Sequence, residues 1–364
     1  MLPKGFKYAG VSAGLKDGHK KDLGVIVSDR RAVCAGITTT NQAAASCVKY
    51  NRRILRRGKA RAIVVNTKFA NACVGRQGDK DNLEMAKKTE RLFGGPVLTA
   101  STGIIGQNMP MDKINKGIDL LAKNLTDNYD DFAEAILTTD LVVKKITKTI
   151  QLLGRDVTIA GAAKGSGMIH PNMATMLAFI TTDAGISAGQ LQRIIREVAD
   201  ISFNQVTVDG DTSTNDMCLC LANGASGARL DKNTLPLFRA ALTETLIYLA
   251  KEIARDGEGA TKLIEVNVNG ARSPKEARLA ARAAAGSPLV KCAVYGGDNN
   301  WGRVIAAVGR SGARFDPEKV KMDWAGLQTK EVTINIDLKQ GKYSAQAWGC
   351  DLTEEYIKIN TKYN

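Results

Sequence analysis

The stretch KGSGMIHPNMATML at residues 164–177, which runs on into FITTD at residues 179–183, decides how this chain is interpreted. It places Thr175 after a glycine-rich approach and a Pro-Asn turn, at the mouth of an apolar run. If the peptide bond between Ala174 and Thr175 were cut, Thr175 would carry both a hydroxyl nucleophile and a free α-amine to act as its base. The stretch therefore predicts the form of nucleophilic catalysis that uses an N-terminal threonine.

Length and composition indicate a globular protein. The 364 residues exceed the usual size of a single core, so two subdomains and one large α/β domain are both open. Hydrophobic residues make up 44% and charged residues 24%, whereas aromatic residues make up 5% and there are 35 glycines. This balance favours tight turns and close backbone contacts over aromatic binding surfaces.

The formal net charge of +14 raises the question of a nucleic-acid partner. The basic residues stand in short groups spread along the chain, namely Lys20-Lys21, Arg52-Arg53 with Arg56-Arg57, and Lys144-Lys145. No aromatic residues alternate with them to form a stacking surface. We interpret these groups as solvated surface charge that attracts anionic metabolites, and we expect no nucleic-acid partner.

The seven cysteines are odd in number and mostly have apolar neighbours, which is typical of reduced, packed thiols. Cys218 and Cys220 are separated by one residue, and only two histidines are present, so no structural metal is expected, and no cofactor either. The start of the chain has no apolar signal region, and no apolar run is long enough to span a bilayer. We expect a soluble, cytoplasmic protein that does not bind membranes.

Hydrophobic periodicity alternates between strand and helix patterns along the whole chain. The patterns predict strands at residues 60–66, 155–163, 263–268, 331–338 and 343–348, and helices at residues 81–92, 111–125 and 235–254. Ser187 is a predicted N-cap for a further helix. Because no repeat or proline-rich linker interrupts the pattern, we predict a compact α/β fold whose subdomains are interleaved.

Two glycine-containing segments besides the first stretch could carry chemistry. STGIIG at residues 101–106 follows a strand-like segment, and its Thr102 and exposed backbone N–H groups could form an oxyanion hole; the alternative is a strand-to-helix turn that needs glycine for its backbone angles. DGEGATK at residues 256–262 places Glu258 between glycines, where it could hold a substrate ammonium or be a solvated residue at a helix end.

Three other polar features of the sequence could also carry chemistry. Lys164 does not fit the order of a phosphate-binding loop, but it could bind a substrate carboxylate as a point charge. DGDTSTND at residues 209–216 fails the spacing of a calcium loop, so turn formation or support of a neighbouring site is expected. His170 is the histidine near Thr175, and the scarcity of histidine argues against a Ser-His-Asp triad.

Taken together, several segments resemble the ornithine acetyltransferase (glutamate N-acetyltransferase) family, in the same order from end to end. They are FKYAG at 6–10, DLGVI at 22–26, STGIIG at 101–106, AILTTD at 135–140, KGSGMIHPNMATML at 164–177, DGDTSTND at 209–216, DGEGATK at 256–262, NWGR at 300–303 and WGCDLT at 348–353. As a set they are far more specific than any one of them.

The resemblance implies an enzyme of arginine biosynthesis that moves an acetyl group from N2-acetylornithine to glutamate, with acetyl-CoA as a possible second donor. It implies autoproteolysis between Ala174 and Thr175, which gives an α chain of residues 1–174 and a β chain of residues 175–364 assembled as α₂β₂ or larger. The implied fold is the α/β type of self-processing aminopeptidases. The implied oxyanion hole is Thr102 and Gly103, and the implied substrate contacts are Thr138, Lys164, Thr175, Glu258 and Asn360.

This sequence departs from the family pattern at three places. The tract NTKFANACVG at residues 66–75 stands where the family has NSGNANACTG, so the local turn has lost its glycine. The region between Phe315 and Thr329 is shorter than expected of the family. The chain given stops at Asn364, where the family pattern continues to a terminal Ser or Thr, and we therefore expect a weaker hold on substrate.

Two other classes of function fit the residues. In the first, water resolves the same acyl-enzyme, which would make the protein an acetylornithine deacetylase or an aminopeptidase-like hydrolase. In the second, the basic surface binds nucleic acid and the family site is idle. Release of N-acetylglutamate upon addition of glutamate distinguishes a transferase from a hydrolase, and salt-dependent retention of DNA or RNA tests the binding protein.

Overall fold

Two β-sheets and ten α-helices carry the fold in the part that the computed structural model describes, residues 1–170 and 176–362. Up to residue 170 the elements are β1 Phe6–Val11, β2 Leu23–Thr38, α1 Ser46–Arg57, β3 Lys59–Asn66, α2 Gly75–Phe93, β4 Val97–Ser101, α3 Met111–Lys123, α4 Asp130–Ala135, β5 Lys144–Leu152 and β6 Arg155–Lys164. From residue 176 they are β7 Leu177–Thr182, α5 Ala188–Asp200, a short 3₁₀ helix Phe203–Gln205, β8 Val206–Thr207, β9 Met217–Ala222, α6 Leu235–Arg255, β10 Leu263–Ala271, α7 Pro274–Ala285, α8 Pro288–Tyr295, α9 Trp301–Gly309, β11 Lys321–Ala325, β12 Glu331–Asp337, β13 Tyr343–Cys350 and α10 Glu354–Asn360.

The larger sheet mixes strands from both halves of the chain. Its order is β4-β3-β2-β9-β7-β6-β5, and β1 pairs with β2 in antiparallel fashion. β7 and β9 follow residue 175 in sequence, yet they lie parallel to each other between β2 and β6, which precede it. The predicted interleaving is therefore confirmed, and the end of β6 pairs with the start of β7 in one sheet.

The two central strands of this sheet are buried on both faces, which explains their continuous apolar sequence. In β7, Ala178 and Ile180 face a core that α5 and α6 complete, whereas Leu177 and Phe179 face a second core with α1 and α4. Side chains of a strand alternate between its faces, so each strand serves both cores. The long helix α6 covers β5 and β6.

The second sheet has the order β11-β12-β10-β13-β8 and is built entirely from residues after 205. Alanines of α7 at helical spacing, Ala277, Ala280, Ala281 and Ala284, are fully buried against it. Because alanine is small, the helix lies close to the strands. The sheet is joined to the first by α6, which also contacts β13.

Most elements predicted from periodicity are confirmed. The strand at residues 60–66 is β3, the helix at residues 235–254 is α6, and Ser187 caps α5 with a complete capping box. The largest boundary error is at α2, which begins at Gly75, six residues before the predicted start. In the described part of the chain, each helix is either too short or too polar to span a bilayer.

Candidate active site

A cavity of about 320 Å³ gathers the residues that the sequence predicted for the site. It is lined by the turn after β4, the end of β6 and the start of β7, and also by the loop after α6 and by α10. The predicted residues that line it are Thr102, Gly103, Thr138, Lys164, Glu258 and Asn360. They come from five separate segments of the chain, so the fold alone brings them together.

The predicted nucleophile Thr175 and its neighbour Ala174 lie outside the described residues. Met176, the residue that follows Thr175 in sequence, lines the cavity. The carbonyl of Met176 accepts a hydrogen bond of 2.9 Å from the backbone N–H of Met217 at the start of β9. The chain therefore re-enters the sheet directly beside the predicted substrate contacts.

Thr102 and Gly103 form a tight turn immediately after β4. The Thr102 N–H donates to the Asn66 carbonyl at 3.1 Å. Gly103 has a φ of +132°, and a Cβ there would lie 2.3 Å from the carbonyl carbon of Lys68. Only glycine fits at this position, which confirms that the turn needs glycine for its backbone angles. Among residues 1–170 and 176–362 no acceptor engages the Gly103 N–H, which leaves it available to an oxyanion.

Lys164 at the end of β6 is only 8% exposed and lines the cavity. Its Nζ donates to the Thr102 hydroxyl oxygen at 3.5 Å. Burial lowers the pKa of Lys164, and the nearby Asp140 carboxylate opposes part of that shift. Within residues 1–170 and 176–362 the contact with Thr102 is the one hydrogen bond of the Lys164 ammonium, and a buried ammonium so placed can take a substrate carboxylate as a further partner.

A buried ionic network holds the loop that carries Thr138. Asp140 accepts hydrogen bonds from the backbone N–H groups of Thr138 at 2.9 Å and Gly165 at 2.7 Å. The Lys144 ammonium lies 2.7 Å from Asp140 and 2.5 Å from Asp256. Burial alone would raise the pKa of Asp140, but the ammonium groups of Lys164 and Lys144 outweigh it and hold the pKa below its usual range.

The prediction that the basic groups are solvated surface charge was wrong for Lys144. The side chain of Lys144 is fully buried, whereas its neighbour Lys145 is exposed at the surface. Successive residues of a strand point to opposite sides, so one member of a Lys-Lys pair in β5 faces inward. The network it forms with Asp140 and Asp256 is therefore structural support for the cavity.

Glu258 is not the solvated residue that one alternative predicted, because it is only 7% exposed. Its N–H donates to the Ser166 carbonyl at 3.0 Å, and its carboxylate accepts a hydrogen bond of 3.0 Å from the Asn360 side-chain amide. Gly167 lies against it, since a Cβ on Gly167 would be 2.3 Å from a carboxylate oxygen. The space for the carboxylate therefore comes from Gly167 in the loop after β6, and not from the glycines on either side of Glu258 that the sequence pointed to.

The segment at residues 209–216 supports the site, which was one of the two expectations for it. The Asp209 carboxylate accepts hydrogen bonds from the N–H groups of Met168 at 2.5 Å and Ile169 at 2.8 Å. The Asn215 amide donates to the Ser101 carbonyl at 2.7 Å, next to the Thr102 turn. The segment thus ties the glycine loop after β6 to the turn after β4.

Sequence reasoning missed Asp140, Asn215 and Asp216 as individual site residues. Asn215 and Asp216 line the cavity, and burial raises the pKa of Asp216 well above its usual range. Asp140 ends the motif at residues 135–140, and Asn215 and Asp216 end the motif at residues 209–216. The sequence feature that could have identified Asn215 and Asp216 is their position directly before the apolar strand β9. Burial lowers the pKa of His170 to about 4, so its imidazole is uncharged at neutral pH and only weakly basic.

The altered tract at residues 66–75 keeps its backbone shape without the glycine. Lys68, at the position of the missing glycine, has a φ of +76°, in the left-handed region. A non-glycine residue there costs roughly 1–2 kcal/mol. The Lys68 carbonyl accepts a hydrogen bond of 3.0 Å from the Ile104 N–H, so the tract still supports the turn that carries Gly103.

Comparison with known proteins identifies the family. The model of the ArgJ family matches residues 7–364. This chain belongs to the ArgJ family. The arginine biosynthesis bifunctional protein ArgJ of Bacillus licheniformis is 48% identical over 388 residues, covering 99% of this chain and 95% of that protein. The protein of the same name from Thermotoga neapolitana is 46% identical over 395 residues, covering 100% and 99%.

Solved structures of the same family are also similar. The crystal structure of the arginine biosynthesis bifunctional protein ArgJ from Bacillus halodurans is 42% identical, covers 51% of this chain and 98% of its own, and gives a TM-score of 0.49. The ornithine acetyltransferase of Mycobacterium tuberculosis, solved in complex with ornithine, is 31% identical, covers 47% and 94%, and gives a TM-score of 0.43.

Proposed function

We propose that this protein transfers an acetyl group from N2-acetylornithine to glutamate in arginine biosynthesis. Membership of the ArgJ family supports the reaction class. The observation that carries the proposal for the site is one cavity that holds Lys164 and Glu258, two opposite charges, beside the Thr102 hydroxyl and the Gly103 N–H. These groups can recognise the charges of an amino acid and stabilise an oxyanion, and acyl transfer then needs a nucleophile beside them.

Thr175 is the proposed nucleophile, and it is made by self-cleavage. In maturation the Thr175 hydroxyl attacks the Ala174 carbonyl, an ester forms as the acyl group moves from nitrogen to oxygen, and water releases the α chain of residues 1–174. The new α-amine of Thr175 then serves as the base for its own hydroxyl. The β chain of residues 175–364 carries the nucleophile, while Thr102 and Lys164 belong to the α chain.

In turnover the Thr175 hydroxyl attacks the acetyl carbonyl of acetylornithine and gives its proton to the α-amine. The negative charge on the carbonyl oxygen is stabilised by the Thr102 hydroxyl and the Gly103 N–H. Ornithine leaves with that proton, glutamate enters, and its amine attacks the acetyl-threonine ester. Two substrates therefore use one site in succession, which predicts ping-pong kinetics.

The charges of the cavity suit amino-acid substrates. Lys164 is proposed to pair with a substrate carboxylate, and Glu258 with a substrate ammonium, while Thr138 and Asn360 add hydrogen bonds. The volume of about 320 Å³ is at the small end of ligand pockets and fits an acylated amino acid. We further propose that acetyl-CoA is a second donor, that the protein is cytoplasmic, and that it assembles as α₂β₂ or larger.

Intact-mass analysis tests the maturation step. The purified protein is expected to give two chains under denaturing conditions, with Thr175 as the new N-terminus. The Thr175→Ala variant is expected to stay one chain and to be inactive, while Thr139→Ala, a change in another threonine of the cavity wall, should leave cleavage intact. An uncut wild-type protein with full activity contradicts the role of the α-amine.

A second assay tests transfer against hydrolysis. Acetylornithine alone is expected to give a single-turnover release of ornithine, and glutamate should convert this into steady formation of N-acetylglutamate. Continuous release of acetate at the same rate with and without glutamate contradicts the transferase and favours a hydrolase.

A further inference from the structure

A second cleft, lined by lysines, adjoins the candidate active site. It has a volume of about 630 Å³ and is lined by Lys16, Lys20, Lys21, Lys68 and Lys362, which we name the lysine cleft. Gly103 and Thr138 line both this cleft and the catalytic cavity, so the two spaces share one wall. A ligand in the lysine cleft would therefore lie next to the proposed oxyanion hole.

Not all of these lysines are available to a ligand. Lys21 is 2.7 Å from Glu134 and is also paired with Asp131. The Lys16 Nζ donates to the carbonyls of Leu137 at 2.7 Å and Lys21 at 3.0 Å, and burial lowers its pKa to about 8. These contacts account for two of the five ammonium groups of the lysine cleft.

Three lysines remain without a carboxylate partner among residues 1–170 and 176–362: Lys20, Lys68 and Lys362. Two of the three lining carboxylates are already bound, Glu134 by Lys21 and Asp140 by Lys144. Asp17 alone is left to oppose the three cations. The lysine cleft thus carries unbalanced positive charge, and like charges brought together without anions repel one another.

Lys68 is the most informative of these residues. It stands where the family tract has glycine, and it holds a backbone conformation, φ +76°, that glycine adopts without strain. Strained backbone persists at functional sites when surrounding contacts enforce it. At this strained position the chain has gained a lysine side chain, which lines the lysine cleft together with Gly103.

We propose that the lysine cleft binds the phosphate groups of an acyl thioester donor of the coenzyme A type, whose thioester end reaches the catalytic cavity past Gly103 and Thr138. This inference rests on the proposed function. An amino-acid substrate has its carboxylate and ammonium matched by Lys164 and Glu258 inside the smaller cavity. Three unpaired ammonium groups outside that cavity fit a ligand with several negative charges on phosphates.

The chemistry balances with the groups already described. The Thr175 oxygen attacks the thioester carbonyl, the carbon–sulfur bond breaks, and the thiolate takes the hydroxyl proton and leaves as a free thiol. The amine of glutamate then attacks the acetyl-threonine ester, the carbon–oxygen bond breaks, and the threonine oxygen regains a proton from the amine. The same acetyl-enzyme thus forms from either donor, and only the leaving group differs.

The experiment compares the two donors in charge-removal variants. Lys20→Ala, Lys68→Gly, Lys362→Ala and the triple variant are assayed with acetyl-CoA and with acetylornithine, and adenosine 3′,5′-bisphosphate is titrated by calorimetry as the phosphate probe. Lys232→Ala is the matched control, an exposed lysine in a turn away from the cleft. The Lys68→Gly change removes the charge and relieves the backbone strain, so this variant is expected to fold, and a change in its activity reports the loss of the charge.

In the triple variant we expect kcat/KM for acetyl-CoA to fall by about tenfold or more relative to that for acetylornithine, and the bisphosphate to bind about tenfold more weakly. Binding of the bisphosphate to the parent should also weaken as salt is raised. An equal fall for both donors, no fall for either, or no binding of the bisphosphate to the parent overturns the inference. If any of these outcomes is found while the parent still transfers acetyl from acetylornithine to glutamate, the proposed function stands. If the parent shows no such transfer, the proposed function itself is overturned.

Discussion

Thr102 is the residue whose side chain can be tested most directly for stabilisation of the oxyanion. Its hydroxyl accepts from Lys164, and it precedes Gly103, whose N–H has no acceptor in the part of the chain that the structure describes. In Thr102→Ala we expect kcat to fall by about 100-fold with little change in KM, because the lost donor acts mainly in the transition state. Thr102→Ser keeps the hydroxyl and should retain most activity. A similar loss in both variants indicates that the threonine methyl group, and hence packing, is what matters.

Glu258 can be tested separately for substrate charge recognition. Glu258→Gln keeps the shape and an oxygen acceptor for the Asn360 amide but removes the negative charge. We expect KM for acetylornithine to rise by about tenfold or more, because a charge-assisted contact is lost, with the melting temperature nearly unchanged. Asn360→Ala should raise KM less. If Glu258→Gln lowers the melting temperature as strongly as the activity, the carboxylate is needed for folding instead.

At the residue scale the family resemblance implied which side chains share the site, but the sequence could not predict which charges are buried. Glycine neighbours marked Thr102, Lys164 and Glu258, because glycine leaves space beside a functional group. Lys144 and Lys145 look equivalent in sequence, and only the orientation of β5 in the sheet decides that Lys144 is inside. That orientation is set by the strands on either side, which lie far away in sequence.

At the scale of elements, the N-cap of α5 offers a change that should affect stability alone. The Ser187 hydroxyl accepts from the Gln190 N–H at 3.3 Å, and the Gln190 side chain accepts from the Ser187 N–H at 3.4 Å. Ser187→Ala should cost about 1 kcal/mol and lower the melting temperature by about 2 °C. Ser187→Asp should restore it. Activity per folded molecule is expected to stay constant, and a change in KM would mean that α5 is coupled to the cavity.

Helices with a clear apolar face were predictable, while the central strands were less so. α6 was found within one residue of its ends, because its period and its Asp256-Gly257 stop are local signals. α2 was found only in part, since its first residues, 75–77, are exposed and its first turn has no large apolar side chain that would show a helical period. β7 and β9 are uniformly apolar, a pattern that a buried helix shares, so their place between β2 and β6 had to come from the structure.

At the scale of the whole molecule, the ionic network beneath the cavity predicts sensitivity to acid. The pKa of Asp140 is held below its usual range in the folded state, so its contribution to stability is present above the unfolded pKa of about 3.9 and is lost as pH falls below it. We expect the melting temperature to drop below about pH 4. Asp140→Asn should lower stability at pH 7 and flatten that acid dependence. An acid profile identical to wild type would assign the drop to other carboxylates.

The strand order of the larger sheet has a consequence for assembly. β7 and β9 belong to the second chain after a cut at Thr175, yet they separate β2 from β6, which belong to the first. Neither fragment can close this sheet alone, and each would expose unpaired strand edges. The fold must therefore be completed as a single polypeptide before it is cut. Afterwards recovery from denaturant becomes a bimolecular event, faster at higher protein concentration, whereas the uncut Thr175→Ala chain should refold at a rate independent of concentration.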